Sequence, residues 1–188
     1  MKQMSYNFST PVGIAGGLYD LTGYVCDSYN NGAEDGALKH GMGVVVTDTP
    51  GVAQLPTEAS TILNFEGVLL NGLITEHNLD GDVVVKKGHT VGVIKQGRVW
   101  ARLAESAVPA YGKAVLLITK GKNAGLFTSA DDDDEKANAI AINAKFLTEK
   151  GSGNIAVVEV YPTMVVPSSV ASADAGNDNG AEGSGSES

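Results

Sequence analysis

Between Leu21 and Tyr161 the chain sustains no apolar pattern at helical spacing. Short apolar runs are cut by turn dipeptides instead: Asn31-Gly32, Asp35-Gly36, Pro50-Gly51, Asn71-Gly72 and Asp80-Gly81. These pairs supply the backbone angles that tight reversals need, so the runs between them read as strands rather than helices. Strands are expected over residues 24–28, 43–47, 65–74 (interrupted at Asn71-Gly72), 139–147 and 155–161, the last closing the sheet. Residues 54–60 form a loop or a short helix. Glycine at 24 of 188 residues and aromatics at 6% suit many short strands joined by tight turns. The expected fold is all-β, a β-barrel or jelly-roll-like β-sandwich over residues 18–162, in a chain long enough for a single core. An extended N-terminal arm, residues 1–17, precedes it, and a flexible, disordered acidic tail, residues 163–188, follows.

The most distinctive strand runs Gly-Arg-Val-Trp-Ala-Arg-Leu from Gly97 to Leu103. Side chains alternate along a strand, so Arg98, Trp100 and Arg102 share one face while Val99, Ala101 and Leu103 point to a core. These are the two arginines and the one tryptophan of the chain. The plain structural reading stacks the guanidiniums on the indole. The functional reading makes the face an interface, where Arg and Trp are enriched. A faint repeat surrounds this strand: Gly88-x-x-Val91-x-x-Ile94-x-x-Gly97 is echoed by Gly112-x-x-Val115-x-x-Ile118-x-x-Gly121. Two copies do not make a solenoid, and they are read as two strands of matching length bounded by glycine turns.

The net charge of −9 is local: residues 131–135 and the tail acids Asp174, Asp178, Glu182 and Glu187 account for all of it, leaving 13 acids to balance 13 bases. A neutral body with two acidic segments offers no field for steering nucleic acid, so direct nucleic-acid binding is not expected. Cys26, the lone cysteine, forms no internal disulfide, and its neighbour Asp27 argues against an activated thiol. Neither a leader nor an apolar run near 18 residues is seen, so a protein made and kept soluble in a cytoplasm, without membrane contact, is expected.

No catalytic constellation emerges, and no metal or cofactor is expected. His40, His77 and His89 lack metal-ligand spacing, and each reads as a surface or edge-strand residue. The five consecutive acids from Asp131 lack the spacing and glycine of a calcium loop, so they read as a solvated, mobile hairpin loop. Asp80-Gly81-Asp82 reads as a turn. The segment Gly13-Ile14-Ala15-Gly16-Gly17 lacks a strand–turn–helix frame for a dinucleotide, and Gly151-Ser152-Gly153 is no nucleophile elbow.

The order of several segments nevertheless resembles a known family. These are residues 10–17 (Thr-Pro-Val-Gly-Ile-Ala-Gly-Gly), 36–45 (Gly-Ala-Leu-Lys-His-Gly-Met-Gly-Val-Val), 65–72 (Phe-Glu-Gly-Val-Leu-Leu-Asn-Gly), 87–93, 97–102 and 153–160. Together they resemble the capsid cement, or decoration, proteins of tailed bacteriophages, over most of residues 10–161. The resemblance implies a non-enzymatic β-domain on the outside of an assembled head, bridging neighbouring major capsid subunits against internal pressure. The acidic tail is not part of the pattern.

Under that reading the partners are the major capsid protein and further copies of the chain, as a homodimer or homotrimer on local symmetry axes. Capsid binding is expected first of the arm, through Tyr6, Phe8, Pro11, Val12 and Ile14, whose apolar side chains need a cover. Arg98, Trp100 and Arg102 are the second interface candidates. A rival reading is a receptor- or glycan-binding β-module of a virion accessory protein, with Trp100 as a stacking platform. Another is a cupin-type enzyme that gathers the three histidines inside a barrel.

Overall fold

The structure, a computed structural model, describes residues 13–72 and 83–162. The expectations for Tyr6, Phe8, Pro11, Val12, His77, the turn at residues 80–82 and the acidic tail lie outside the described residues.

The described residues form nine strands: β1 (Val25–Asn31), β2 (Gly43–Val45), β3 (Val52–Ala53), β4 (Phe65–Leu69), β5 (Thr90–Arg102), β6 (Ala114–Ile118), β7 (Phe127–Ser129), β8 (Ala139–Phe146) and β9 (Ile155–Val160). Two single-turn 3-10 helices, Gly121–Asn123 and Lys136–Asn138, interrupt them. Residues 54–60 are a loop with a turn at 58–59, entered by a bridge from Gln54 to Val45, because nothing after Pro56 sustains a helical period.

The sheet runs β2-β4-β5-β9-β8-β6-β7, with β1 pairing β5 and β3. Beyond β5, Leu103 forms a parallel bridge with Phe127, and the Ala104 amide donates to the Phe127 carbonyl at 2.9 Å. That contact brings β7 back to the end of β5, so β5, β9, β8, β6 and β7 form a nearly closed barrel, the first of the two expected architectures. The last strand sits between β5 and β8 rather than at the seam.

Alternation fills the barrel as the sequence requires. Val99 and Ala101 are fully buried and Leu103 nearly so, in one cluster with Val115, Leu117, Phe127, Phe146 and Val158. Phe65 packs edge-on against Phe127, with centroids 6.5 Å apart at 90°. A second cluster, with Leu38, Val44, Leu69 and Val93, lies on the other face of β4 and β5. Strand β4 therefore has a core on both sides, with Val68 and Leu69 both fully buried, while the half-buried Glu66 breaks its apolar run.

Two expectations are corrected here. The glycine-bounded strands are not of matching length: β5 runs 13 residues straight through Gly97, whereas β6 has five. Gly97 is where the neighbours of β5 change, with β1 pairing residues 90–96 and β9 pairing residues 97–102. Its φ of +128° suits glycine alone, and an added Cβ would stand 2.8 Å from the Cβ of Tyr24.

The second correction concerns the acidic loop. Asp132 is buried, and its carboxylate accepts hydrogen bonds from the hydroxyls of Ser106 (2.9 Å) and Thr128 and from the amides of Asp134 (3.1 Å) and Glu135 (3.3 Å). Burial pushes its pKa up, but those donors outweigh it and hold the carboxyl below its ordinary value. One of the five acids is thus a staple between the loop and the barrel wall.

Candidate functional site

The second half of β5 carries the face expected from the sequence. Arg98, Trp100 and Arg102 are all half-buried, on the opposite side of the strand from the barrel core. Their free edge is covered by the base of the N-terminal arm. The Gly16 amide donates to the Trp100 carbonyl at 2.7 Å, the Trp100 amide to Gly17 at 2.9 Å and the Tyr19 amide to Arg98 at 2.9 Å. Leu18 forms an antiparallel bridge with Val99. The base of the arm therefore enters the fold as a short added strand on this edge of β5.

The indole of Trp100 is bracketed. The Tyr19 ring meets it edge-on at 5.9 Å and 64°. On its nitrogen edge lies Gly13, where a Cβ would fall 1.9 Å from Nε1, so only glycine fits without moving the ring. The indole is thus flanked by the Tyr19 ring and by Gly13. The guanidiniums do not use the ring; they turn to oxygen acceptors.

Arg98 donates from Nε to Glu159 at 2.9 Å and from a terminal nitrogen to Asp20 at 2.9 Å. Register explains the first contact, since Arg98 and Lys145 both lie directly across from Glu159 in the ladder. Lys145 reaches Glu159 at 2.9 Å, the Tyr161 hydroxyl donates to it at 2.6 Å, and the Lys145 ammonium lies 5.5 Å from the Tyr161 ring centroid. The Tyr161 and Lys145 donors, joined by Arg98 and opposed by burial, hold the Glu159 carboxyl at about 2. Asp20 ties the arm's base to this network.

Arg102 is placed differently. Its Nε donates to the His40 carbonyl at 2.8 Å, and its amide donates to Gly41 at 2.8 Å. His40 is buried, which corrects its reading as a surface residue: the loop before β2 folds down onto the end of β5. Burial, with the Arg102 charge beside it, lowers the His40 pKa. His89, by contrast, is exposed just before β5. Among the described residues no three His, Cys, Asp or Glu side chains are grouped as metal ligands.

Cys26 is exposed on β1, and its thiol pKa is raised by partial burial and by Asp27, the reverse of activation. Ile14, the arm candidate within the described residues, is 69% exposed. Tyr19 (44%), Leu21 (85%) and Tyr24 (46%) continue a series of exposed apolar side chains along the same segment. Sequence reasoning missed Asp20, Glu159 and Tyr161, whose alternation pattern marks strands but not partners.

No curated protein matches the chain. Among solved structures, a chain from the capsid of Myoviridae phage XM1 superposes with a TM-score of 0.60 at 15% identity, covering 83% of this chain and 97% of that one. At that identity the likeness is one of fold. A family model described as structural cement protein (E217 gp24/Pam3 gp6) matches residues 2–161. With so much of the chain matched, it belongs to the family of phage structural cement proteins.

Proposed function

We propose that this cement protein binds the outer surface of a phage head and bridges neighbouring major capsid subunits, with its N-terminal arm and the Trp100 face as the contacts. The observation that carries this reading is the arm's base. It is anchored on β5 beside Arg98 and Trp100, while Ile14, Tyr19 and Leu21 on the same segment remain exposed. An anchored segment with uncovered apolar side chains suits a protein whose cover is another subunit. Residues 1–17 act as the arm, with Tyr6, Phe8, Pro11, Val12 and Ile14 meeting the shell. Trp100 and Arg102 add a second contact, and Arg98 holds the arm in place through Asp20.

The role is structural rather than catalytic. Many copies, each with a modest interface, reinforce a symmetric lattice by multivalent attachment, and dimers or trimers on local two-fold or three-fold axes fit that use. The acidic loop, its buried Asp132 apart, points away from the shell, and the charge-balanced body takes no part in nucleic-acid or membrane binding.

Co-sedimentation with expanded, undecorated heads tests the reading. The full chain is expected to bind saturably at a fixed ratio to capsid subunits. A chain lacking residues 1–12, which keeps the Gly16–Trp100 pairing, is expected to lose most of that binding. Equal binding by both chains would remove the arm from the contact.

A further inference from the structure

Two adjoining clefts flank the end of β5, one of about 540 Å³ and one of about 370 Å³. Lys39 and Arg102 line both, His40 lines the first and Lys122 lines the second. No carboxylate is among the described residues that line either cleft. Elsewhere most cations are matched to acids, as Lys95 is to Asp27 and Glu66, Arg98 to Asp20 and Glu159 and Lys145 to Glu159, while Lys150 donates to the Glu105 carbonyl. Among the described residues Lys39 and Lys122 have no acid partner. Arg102 spends only Nε, on a neutral carbonyl, leaving its terminal nitrogens free. The buried His40 adds a second sign of an incomplete site, because its Nε2 has no hydrogen-bond partner. In a chain of net charge −9, three uncommitted cations around one groove form a local exception.

We propose that this groove is a docking site for an acidic segment of the major capsid subunit, whose carboxylates pair with Lys39, Arg102 and Lys122. The proposal rests on the cement reading and names the chemistry of its partner. Continuity with the proposed contact face favours the capsid as the occupant. Ile14, at the base of the arm, lines the first cleft, so the groove is continuous with the proposed contact face. The last described residues, Tyr161 and Pro162, instead line a different cleft with Lys95 and Gln96, toward the other half of β5. A guanidinium with free donors beside two ammonium groups is suited to carboxylate capture.

The test uses the full chain and expanded, undecorated heads at two salt concentrations. The double variant Lys39→Glu/Lys122→Glu is expected to bind heads about tenfold or more weakly than the parent, and Lys39→Gln/Lys122→Gln to fall between them. Both lysines are exposed, so folding is not at issue, and the parent's affinity is expected to weaken as salt rises. Parent binding that the charge reversal leaves unchanged would overturn the groove while the cement reading stands. Failure of the parent itself to bind would overturn the cement reading and the groove with it. Zero-length carbodiimide cross-linking of decorated heads identifies the occupant. Links from Lys39 or Lys122 to acids of the capsid subunit support the proposal, whereas links to Asp174, Asp178, Glu182 or Glu187 would overturn it in favour of the tail.

Discussion

Arg98 and Arg102 occupy the same face of one strand, yet their surroundings are opposite. Arg98 is held by two carboxylates, one on β9 and one on the arm's base, within a network that also includes Lys145 and Tyr161. Arg102 has one carbonyl and an acid-free groove. The difference teaches what identical residues on a shared face are for. A guanidinium whose acceptors are supplied by its own chain fixes geometry, and one left with free donors is available to another chain. On this account Arg98 builds the surface and Arg102 uses it.

The largest effect should come from breaking the Arg98 end. Glu159→Ala leaves Arg98 and Lys145 facing each other across β9 without their shared carboxylate. It should cost about 2–3 kcal/mol in urea denaturation, as for a partly buried charged network that loses its centre. A loss below about 0.5 kcal/mol would make the network ornamental.

Acid sharpens the same point. The Glu159 carboxyl titrates at about 2 in the fold against an ordinary 4.5, so it adds stability above pH 4.5 that is lost as pH falls toward 2. The stability difference between the parent and Glu159→Gln should therefore shrink across that window, by on the order of 2 kcal/mol. A difference that stays constant with pH would show that the carboxyl is not held low.

Midway between the arginines, Gly13→Ala should force the Trp100 ring aside, costing about 1–2 kcal/mol by overpacking. It should also shift the intrinsic fluorescence, since Trp100 is the chain's one tryptophan. An unchanged spectrum would place the indole elsewhere. The smallest effect on stability belongs to Arg102→Gln, expected within about 1 kcal/mol because a single hydrogen bond to a carbonyl is at stake. If this variant unfolds as readily as Glu159→Ala, the contrast between the two arginines fails.

The β5 face was legible because alternation with one buried side is a purely local signal: Val99, Ala101 and Leu103 inward, Arg98, Trp100 and Arg102 outward. Strand β8 was legible for the same reason and β9 as a nearly continuous apolar run, each to within a residue at its ends. What failed depends on distant partners. Asp132 hides in a run of like charges, and although Thr128 lies only four residues before it, its other hydroxyl donor, Ser106, lies 26 residues away. One local clue was present, since Asp132-x-x-Glu135 has the spacing of a capping box and precedes a helical turn. Gly97 looked like a strand boundary because glycine in a strand pattern marks either a turn or a twist, and only the change of neighbours decides between them. The groove was invisible for a similar reason, because Lys39, Arg102 and Lys122 meet only once the loop before β2 folds onto the end of β5.

A density map of heads decorated with the full chain tests the central claim most directly. The account predicts the arm's base, Trp100 and Arg102 against the capsid shell, with residues 131–135 toward solvent. A map with the acidic loop on the shell and Arg102 facing outward would contradict it.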